Sequence, residues 1–216
     1  MWNEQIIMML LEGIKDTLYM TLTSTLIGYV IGLPMGILLT VTDKDGIHPN
    51  TAVYKVLDVI ANLIRSVPFL ILLIVLIPFT RFLIGRSYGP TATIVPLVIA
   101  AAPYIARMVE SSLKEVDAGV IEAARSMGAS NFTIVTKVML VEARTSLIVG
   151  ATISLGTILG YSAMAGTVGG GGLGDIAIRY GYTRWQTDIM IVTVILLVIL
   201  FQIFPVSYTH LRAHET

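Results

Sequence analysis

Residues 17–42 read TLYMTLTSTLIGYVIGLPMGILLTVT, with no charged side chain anywhere from Thr17 to Thr42. A helix needs only about 20 apolar residues to cross roughly 30 Å of hydrocarbon, so this stretch is long enough to span a membrane. Glu4, Glu12 and Asp16 precede it, and no compact basic start leads into a small-residue cleavage site, so it reads as a retained helix rather than a secretory signal. Four more stretches of the same kind follow. They run from about Val56 to Thr80, from Ser87 to Ala106, from Thr145 to Gly174, and from Ile189 onward, with Arg65 the one charge well inside a span. Barrel strands alternate polar and apolar residues, whereas these runs are apolar throughout, and the expected fold is an all-α integral membrane bundle of five transmembrane helices.

Composition agrees with the spans. Of 216 residues, 55% are hydrophobic and 13% charged, and the mean hydropathy is +0.83; a soluble domain carries roughly a quarter charged residues. Fourteen bases balance fourteen acids, so no bulk basicity suggests nucleic acid. Zero cysteines exclude a disulfide framework, a thiolate metal site and a cysteine nucleophile. No repeat divides the chain, and residues 1–204 read as a single integral membrane domain. Residues 205–216 follow an apolar run that is about 24 Å long if helical. They supply no strong basic anchor and are expected to be a non-native tail.

An odd number of spans places the two ends on opposite sides, and the Lys and Arg count says which side is cytoplasmic. Arg107, Lys114, Arg125, Lys137, Arg144, Lys44, Lys55 and Arg212 fall on one side; Lys15, Arg81, Arg86, Arg179 and Arg184 fall on the other. The larger group puts the 107–144 segment inside and the amino terminus outside. Gly28, Gly32 and Gly36 share one face of the first span, as Gly156 and Gly160 do in the fourth, and small residues allow the close backbone approach on which packing in lipid depends. The simplest reading is a set of seams within one subunit, with a subunit interface or pore lining as the alternatives.

The hydrophilic 107–144 segment reads as two short helices. Asp117 is suited to cap a helix whose apolar positions are Val120, Ile121, Ala124 and Met127; Gly128 is suited to end it in the left-handed conformation. Ser130 can cap the next, with Phe132, Ile134, Val135, Val138 and Met139 as its apolar positions. A helix this short must bury its stripe against the membrane interface, the underside of the bundle or a groove on a cytosolic partner.

Glu122-Ala123-Ala124, with Gly128 four residues later and Leu140 beyond, resembles the cytoplasmic loop of permease subunits of ABC importers. That resemblance implies a coupling helix docked on a cytosolic ATP-binding cassette subunit, carried here by Asp117, Ile121, Glu122, Ala123, Ala124, Met127 and Gly128. The family pattern puts proline after the apolar pair, where this chain has Val141. Arg65-Ser66-Val67-Pro68-Phe69, the run Ala101-Ala102-Pro103-Tyr104-Ile105-Ala106-Arg107-Met108-Val109-Glu110, and Gly160-Tyr161-Ser162-Ala163-Met164 narrow the likeness to permeases of bacterial methionine importers. It covers about Thr17 to Phe204. It implies an ABC importer permease-like bundle in the cytoplasmic (inner) membrane that works as a homodimer, fed by a periplasmic or lipid-anchored methionine-binding protein. Within it, Met164 is expected to be an apolar gate for a flexible thioether substrate, with Tyr161 and Ser162 beside it on the translocation pathway.

Arg65 has two readings. It either snorkels to the cytoplasmic interface, about 13 Å along the helix from Val56, or joins carbonyls freed by Pro68 in a hinge. Gly169 to Gly172 reads as a flexible outer turn, since it lacks the lysine of a phosphate loop. Gly160-Tyr161-Ser162-Ala163-Met164 lacks the second glycine of a hydrolase elbow. His210 and His214 have helical ligand spacing without a neighbouring glutamate, and His48 stands alone before Pro49. No catalytic residue, metal site or cofactor is expected, and the resemblance implies a transport subunit whose ATP hydrolysis belongs to a partner.

Two rivals remain at this level besides an importer for another amino acid. A secondary carrier would usually need an acidic residue or a broken helix at midplane, and Asp58 and Glu110 lie near span ends. A scaffold or channel component would bind a partner without transmitting work.

Overall fold

The computed structural model describes residues 4–213, with side chains from 4 to 203. The described residues are helical, with no strand among them. The helices in chain order are α1 (Glu4–Thr42), α2 (Thr51–Ser66), α3 (Phe69–Val75), α4 (Ile77–Ile84), α5 (Pro90–Lys114), α6 (Ala118–Ser126), α7 (Asn131–Thr133), α8 (Leu140–Glu142), α9 (Arg144–Ala165), α10 (Gly172–Ile176) and α11 (Thr187–Ala213). Two segments, Ile134–Met139 and Ala177–Tyr182, wind as π-helix. The helix starting at Glu4, the one starting at Pro90 and the one starting at Arg144 are long and apolar enough to cross a membrane. The bent pair α2 and α3 would make a fourth span, and α11 holds a shorter apolar stretch, Thr187–Ile203, so the helix count agrees roughly with the five expected runs.

Two runs differ in shape from expectation. The first helix begins at Glu4 rather than Thr17, because gaps between charges mark the hydrocarbon-facing part of a helix and not its ends. The second run is not one straight span: α2 and α3 meet at a bend of 101°. Pro68 has no N–H to give and disfavours helix at Val67, so α2 stops at Ser66 and Pro68 restarts the chain as the cap of α3, at φ −54° and ψ 133°.

The chain divides into two compact units. One comprises residues 1–26, 67–100 and 152–216, and its core is built from Leu10, Leu159, Leu173, Ile176, Ile189 and Leu200. Its glycine cluster is pinned rather than flexible. Gly89 N–H donates to the carbonyl of Gly169 at 2.9 Å, the Thr93 hydroxyl to that of Gly170 at 3.2 Å, and Leu173 N–H to the Thr17 hydroxyl at 2.9 Å. Gly172 sits at φ +74°, where a Cβ would come within 2.6 Å of Thr17 Oγ1, so glycine is required there.

The other unit comprises residues 27–66 and 101–151. Here the Gly28, Gly32 and Gly36 face of α1 lies directly on α5. A Cβ on Gly32 would sit 2.6 Å from the Ala102 carbonyl, and one on Gly36 2.7 Å from Val109 Cβ. These three glycines form a seam inside one subunit.

Candidate functional site

The segment expected to couple begins where α5 ends. Asp117 accepts a hydrogen bond from Gly119 N–H at 2.8 Å and so caps α6. At the other end Gly128 adopts φ +80°. Gly128 N–H donates to Arg125 O at 2.9 Å and Ala129 N–H to Ala124 O at 3.1 Å, which closes the last turn. Ser130 then accepts from Thr133 N–H at 3.3 Å and starts the next helix. That second helix is short in α-form and continues as the π-helical Ile134–Met139.

The apolar stripe of α6 divides between two faces. Ala124 is buried and Ile121 half-buried, turned toward the chain itself. Val120, Glu122, Ala123 and Met127 are exposed, Met127 at 82% and the neighbouring Phe132 at 78%. Large apolar side chains held outward on a capped, polar segment are the kind of surface that a protein partner or the membrane interface covers. Arg125 reaches back to donate to the carbonyl of Ile47 at 2.9 Å, which ties α6 to the connection between α1 and α2.

Above α6, five charged groups link three helices, and the sequence reading had not assembled them. Arg107 on α5 pairs with Asp58 on α2 and, at 2.6 Å, with Glu110; its terminal nitrogen also donates to Asn62 Oδ1 at 3.0 Å. Lys114 pairs with Glu110 at 2.8 Å and with Asp43, just past the end of α1, at 2.7 Å. Glu110 is buried and uses both carboxylate oxygens, one for each base. Lys114 holds the Asp43 carboxyl below its usual range, the Lys114 hydrogen bond outweighing the opposing effect of desolvation.

The residues expected on a pathway are brought near one another but face differently. Tyr161 stacks on Phe69, ring centroids 4.5 Å apart and 5° from parallel. Met164, one turn on, is 51% exposed. Ser162 is buried: it accepts from the Thr21 hydroxyl at 3.4 Å and donates to Leu159 O at 2.8 Å, so its hydroxyl belongs to the packing between α1 and α9. Gly156 abuts the Phe201 ring, which a Cβ would approach to 2.8 Å, whereas nothing lies within 4 Å of one on Gly160. Ile153, Gly160 and Met164 are exposed on α9. Arg65 is exposed at the end of α2, one turn before the Pro68 break. Phe69, part of the Arg65–Phe69 run but given no role there, opens α3 directly after Pro68 and stacks on Tyr161.

This arrangement offers a capped helix with exposed apolar side chains and exposed positions on α9, with no group of three or more metal-ligating side chains among the described residues. The model of the family described as binding-protein-dependent transport system inner membrane component matches residues 17–214. The chain belongs to that family. It is a multi-pass inner-membrane permease. One relative is the probable D-methionine transport system permease protein MetI of Vibrio cholerae, 48% identical over 195 residues that cover 90% of this permease and 87% of that one. The D-methionine transport system permease protein MetI of Escherichia coli K12 is 50% identical over 164 residues, 76% of each chain. Among solved structures, a chain of the inward-facing MetNI methionine ABC transporter covers this permease completely, and is completely covered by it, with a TM-score of 0.97 and 46% identity. An amino acid ABC transporter crystallised with histidines gives a TM-score of 0.80 at 21% identity, a likeness of fold.

Proposed function

We propose that this permease carries methionine inward as the membrane subunit of an ATP-driven importer. Two copies form the pathway, a cytosolic ATP-binding cassette subunit docks on α6, and a periplasmic or lipid-anchored binding protein delivers substrate from the other side. The capped α6 with Val120, Glu122, Ala123 and Met127 turned outward carries the reading: a helix fixed at both ends that presents large apolar side chains beside a carboxylate suits a rigid handle for a separate motor. Closure of two ATPase subunits on nucleotide would move α6 and, through it, the spans as rigid bodies. The amino terminus lies outside, residues 1–204 act as one permease domain, and the tail from 205 takes no part.

Met164, Tyr161 and the open Gly160 position line the pathway between the two copies. Ser162 contributes indirectly, by holding α9 against α1. Pro68 is the hinge of the second span, with Arg65 at the head of the break. Methionine rather than another amino acid is supported by the names of the relatives and by the close match to the MetNI permease.

The test is transport in proteoliposomes holding the permease, its ATPase and its binding protein. Methionine should accumulate with ATP and continue when the ion gradient is dissipated. Uptake that collapses with the gradient, or that proceeds with the permease alone, identifies a secondary carrier instead. Failure of methionine to compete where another amino acid is accumulated moves the substrate and leaves the mechanism.

A further inference from the structure

We infer that the alternating charge chain Asp58–Arg107–Glu110–Lys114–Asp43 is the mechanical link that carries motion of α6 into the ends of α1, α2 and α5, and that Glu110 and Lys114 are its positioning residues. The inference rests on the proposed coupling role of α6.

Close-packed protein transmits displacement because its atoms have nowhere to go, but an open space transmits none. Around α6 the packing is interrupted. A cavity of about 510 Å³ lies among Asp43, Ile47, Leu113, Lys114, Ile121 and Arg125, so much of α6 faces space where it would otherwise press on α1 and α5. What bridges the region is polar. Lys114 closes α5 three residues before Asp117 caps α6, and on the far side Arg125 holds the Ile47 carbonyl. From Lys114 the chain of charges runs to Asp43 in one direction, and through Glu110 and Arg107 to Asp58 in the other.

The link is stiff because it is half-buried and bidentate at its centre. Glu110 is 6% exposed at the side chain and Arg107 17%, so the central Arg107–Glu110 pair is screened less than a surface pair, while Lys114 and Asp58 at its flanks are more open to solvent. The arrangement also tolerates a cost that packing alone would not explain. Arg107 Nε is buried and has no partner, so the guanidinium is held in a pose that satisfies Asp58 and Glu110 through its terminal nitrogens at the expense of its Nε–H. Three acids and two bases alternate along the chain, so every base lies between two acids and removing either base leaves neighbouring carboxylates facing one another.

The experiment measures methionine taken up per ATP hydrolysed in proteoliposomes holding the permease with its ATPase and binding protein. Glu110→Gln keeps size and one hydrogen-bonding oxygen while removing charge. It should leave the complex assembled and hydrolysing ATP, with uptake per ATP reduced about five- to tenfold, the size of an allosteric coupling between separated sites. Lys114→Gln, at a position 43% exposed at the side chain, should do the same, and Lys114→Arg should restore the ratio. If Glu110→Gln does not assemble, the Lys114 pair carries the test. An unchanged ratio in Lys114→Gln, or uptake and hydrolysis falling together in proportion to assembled complex, overturns the link. Wild-type complex in the same vesicles separates the two claims: wild-type uptake with unaltered variants removes only the link, whereas no ATP-driven uptake by wild type removes the coupling role and the link with it.

Discussion

Glycine at position 36 and glycine at position 160 look alike in a hydropathy plot, yet their surroundings demand opposite outcomes. A Cβ on Gly36 would lie 2.5 Å from the Ala106 carbonyl and 2.7 Å from Val109 Cβ, and backbone cannot yield as a side-chain tip can. Gly36→Leu should therefore lower stability by about 1–3 kcal/mol, as overpacking does, read as a fall in the unfolding temperature of the purified complex. Gly160 has nothing within 4 Å. Gly160→Leu should keep or raise that temperature, since leucine favours helix over glycine by about 0.5–1 kcal/mol, while cutting methionine uptake several-fold with ATPase activity retained. Normal uptake in this variant would mean that the exposed α9 positions face lipid and not the pathway. Asp43 adds a pH expectation. Its carboxyl titrates below the ordinary 3.8 when folded, so what its pairing contributes is present above the unfolded value and is lost only as acid passes through the lower folded one. Unfolding temperature should thus show no Asp43-dependent change between about pH 5 and 8, and Asp43→Asn should remove part of the decline at more acidic pH.

At the scale of an element, α6 is held by two local devices whose loss can be read separately. Asp117→Ala removes the cap acceptor and should weaken the helix by about 0.5–2 kcal/mol, whereas Asp117→Asn keeps an acceptor and most of the stability. The measurement is ATPase stimulation by the substrate-loaded binding protein, expected to fall in the alanine variant and survive in the asparagine one; equal stimulation in both would show that cap strength does not govern coupling. That such a short helix was legible in the sequence follows from the local nature of its signals: Asp117, Gly128 and Ser130 act on backbone groups within a few residues of themselves. In the charge chain Arg107, Glu110 and Lys114 stand at legible i, i+3 and i, i+4 spacings on α5, whereas its two outer pairs were not legible, for the opposite reason. Arg107 meets Asp58 across 49 residues and Lys114 meets Asp43 across 71, and no spacing rule pairs charges brought together by helix packing. The break at Pro68 falls between these cases. Its proline was visible, but hydropathy sums composition and ignores backbone hydrogen bonds, so a bent pair and a straight span score alike. Ser162 was placed on the pathway by its neighbours Tyr161 and Met164; one position round a helix is about 100°, enough to turn its hydroxyl to Thr21.

For the whole molecule the open quantity is direction, and the absence of cysteine makes it measurable one position at a time. α5 has 25 residues and, at 1.5 Å each, is about 37 Å long, enough to cross the hydrocarbon with its ends in water. The residues before Pro90 and those after Lys114 therefore meet opposite compartments. Tyr88 is 66% exposed and Phe132 78%, so a cysteine at either would be reachable by a water-soluble reagent. With the basic 107–144 segment inside, Tyr88→Cys should react with a membrane-impermeant maleimide in intact spheroplasts, and Phe132→Cys only after the membrane is opened. Binding of the ATPase subunit should then slow labelling of Phe132→Cys and of Met127→Cys while leaving Tyr88→Cys as it was. The two parts of the result bear on different steps. A reversed labelling pattern would put α6 on the side without ATP, where no cytosolic motor can grip it, and the proposed mechanism would fail outright. The expected sidedness without protection would keep the orientation and place the ATPase contact elsewhere, leaving the outward Met127 and Phe132 to be covered by lipid.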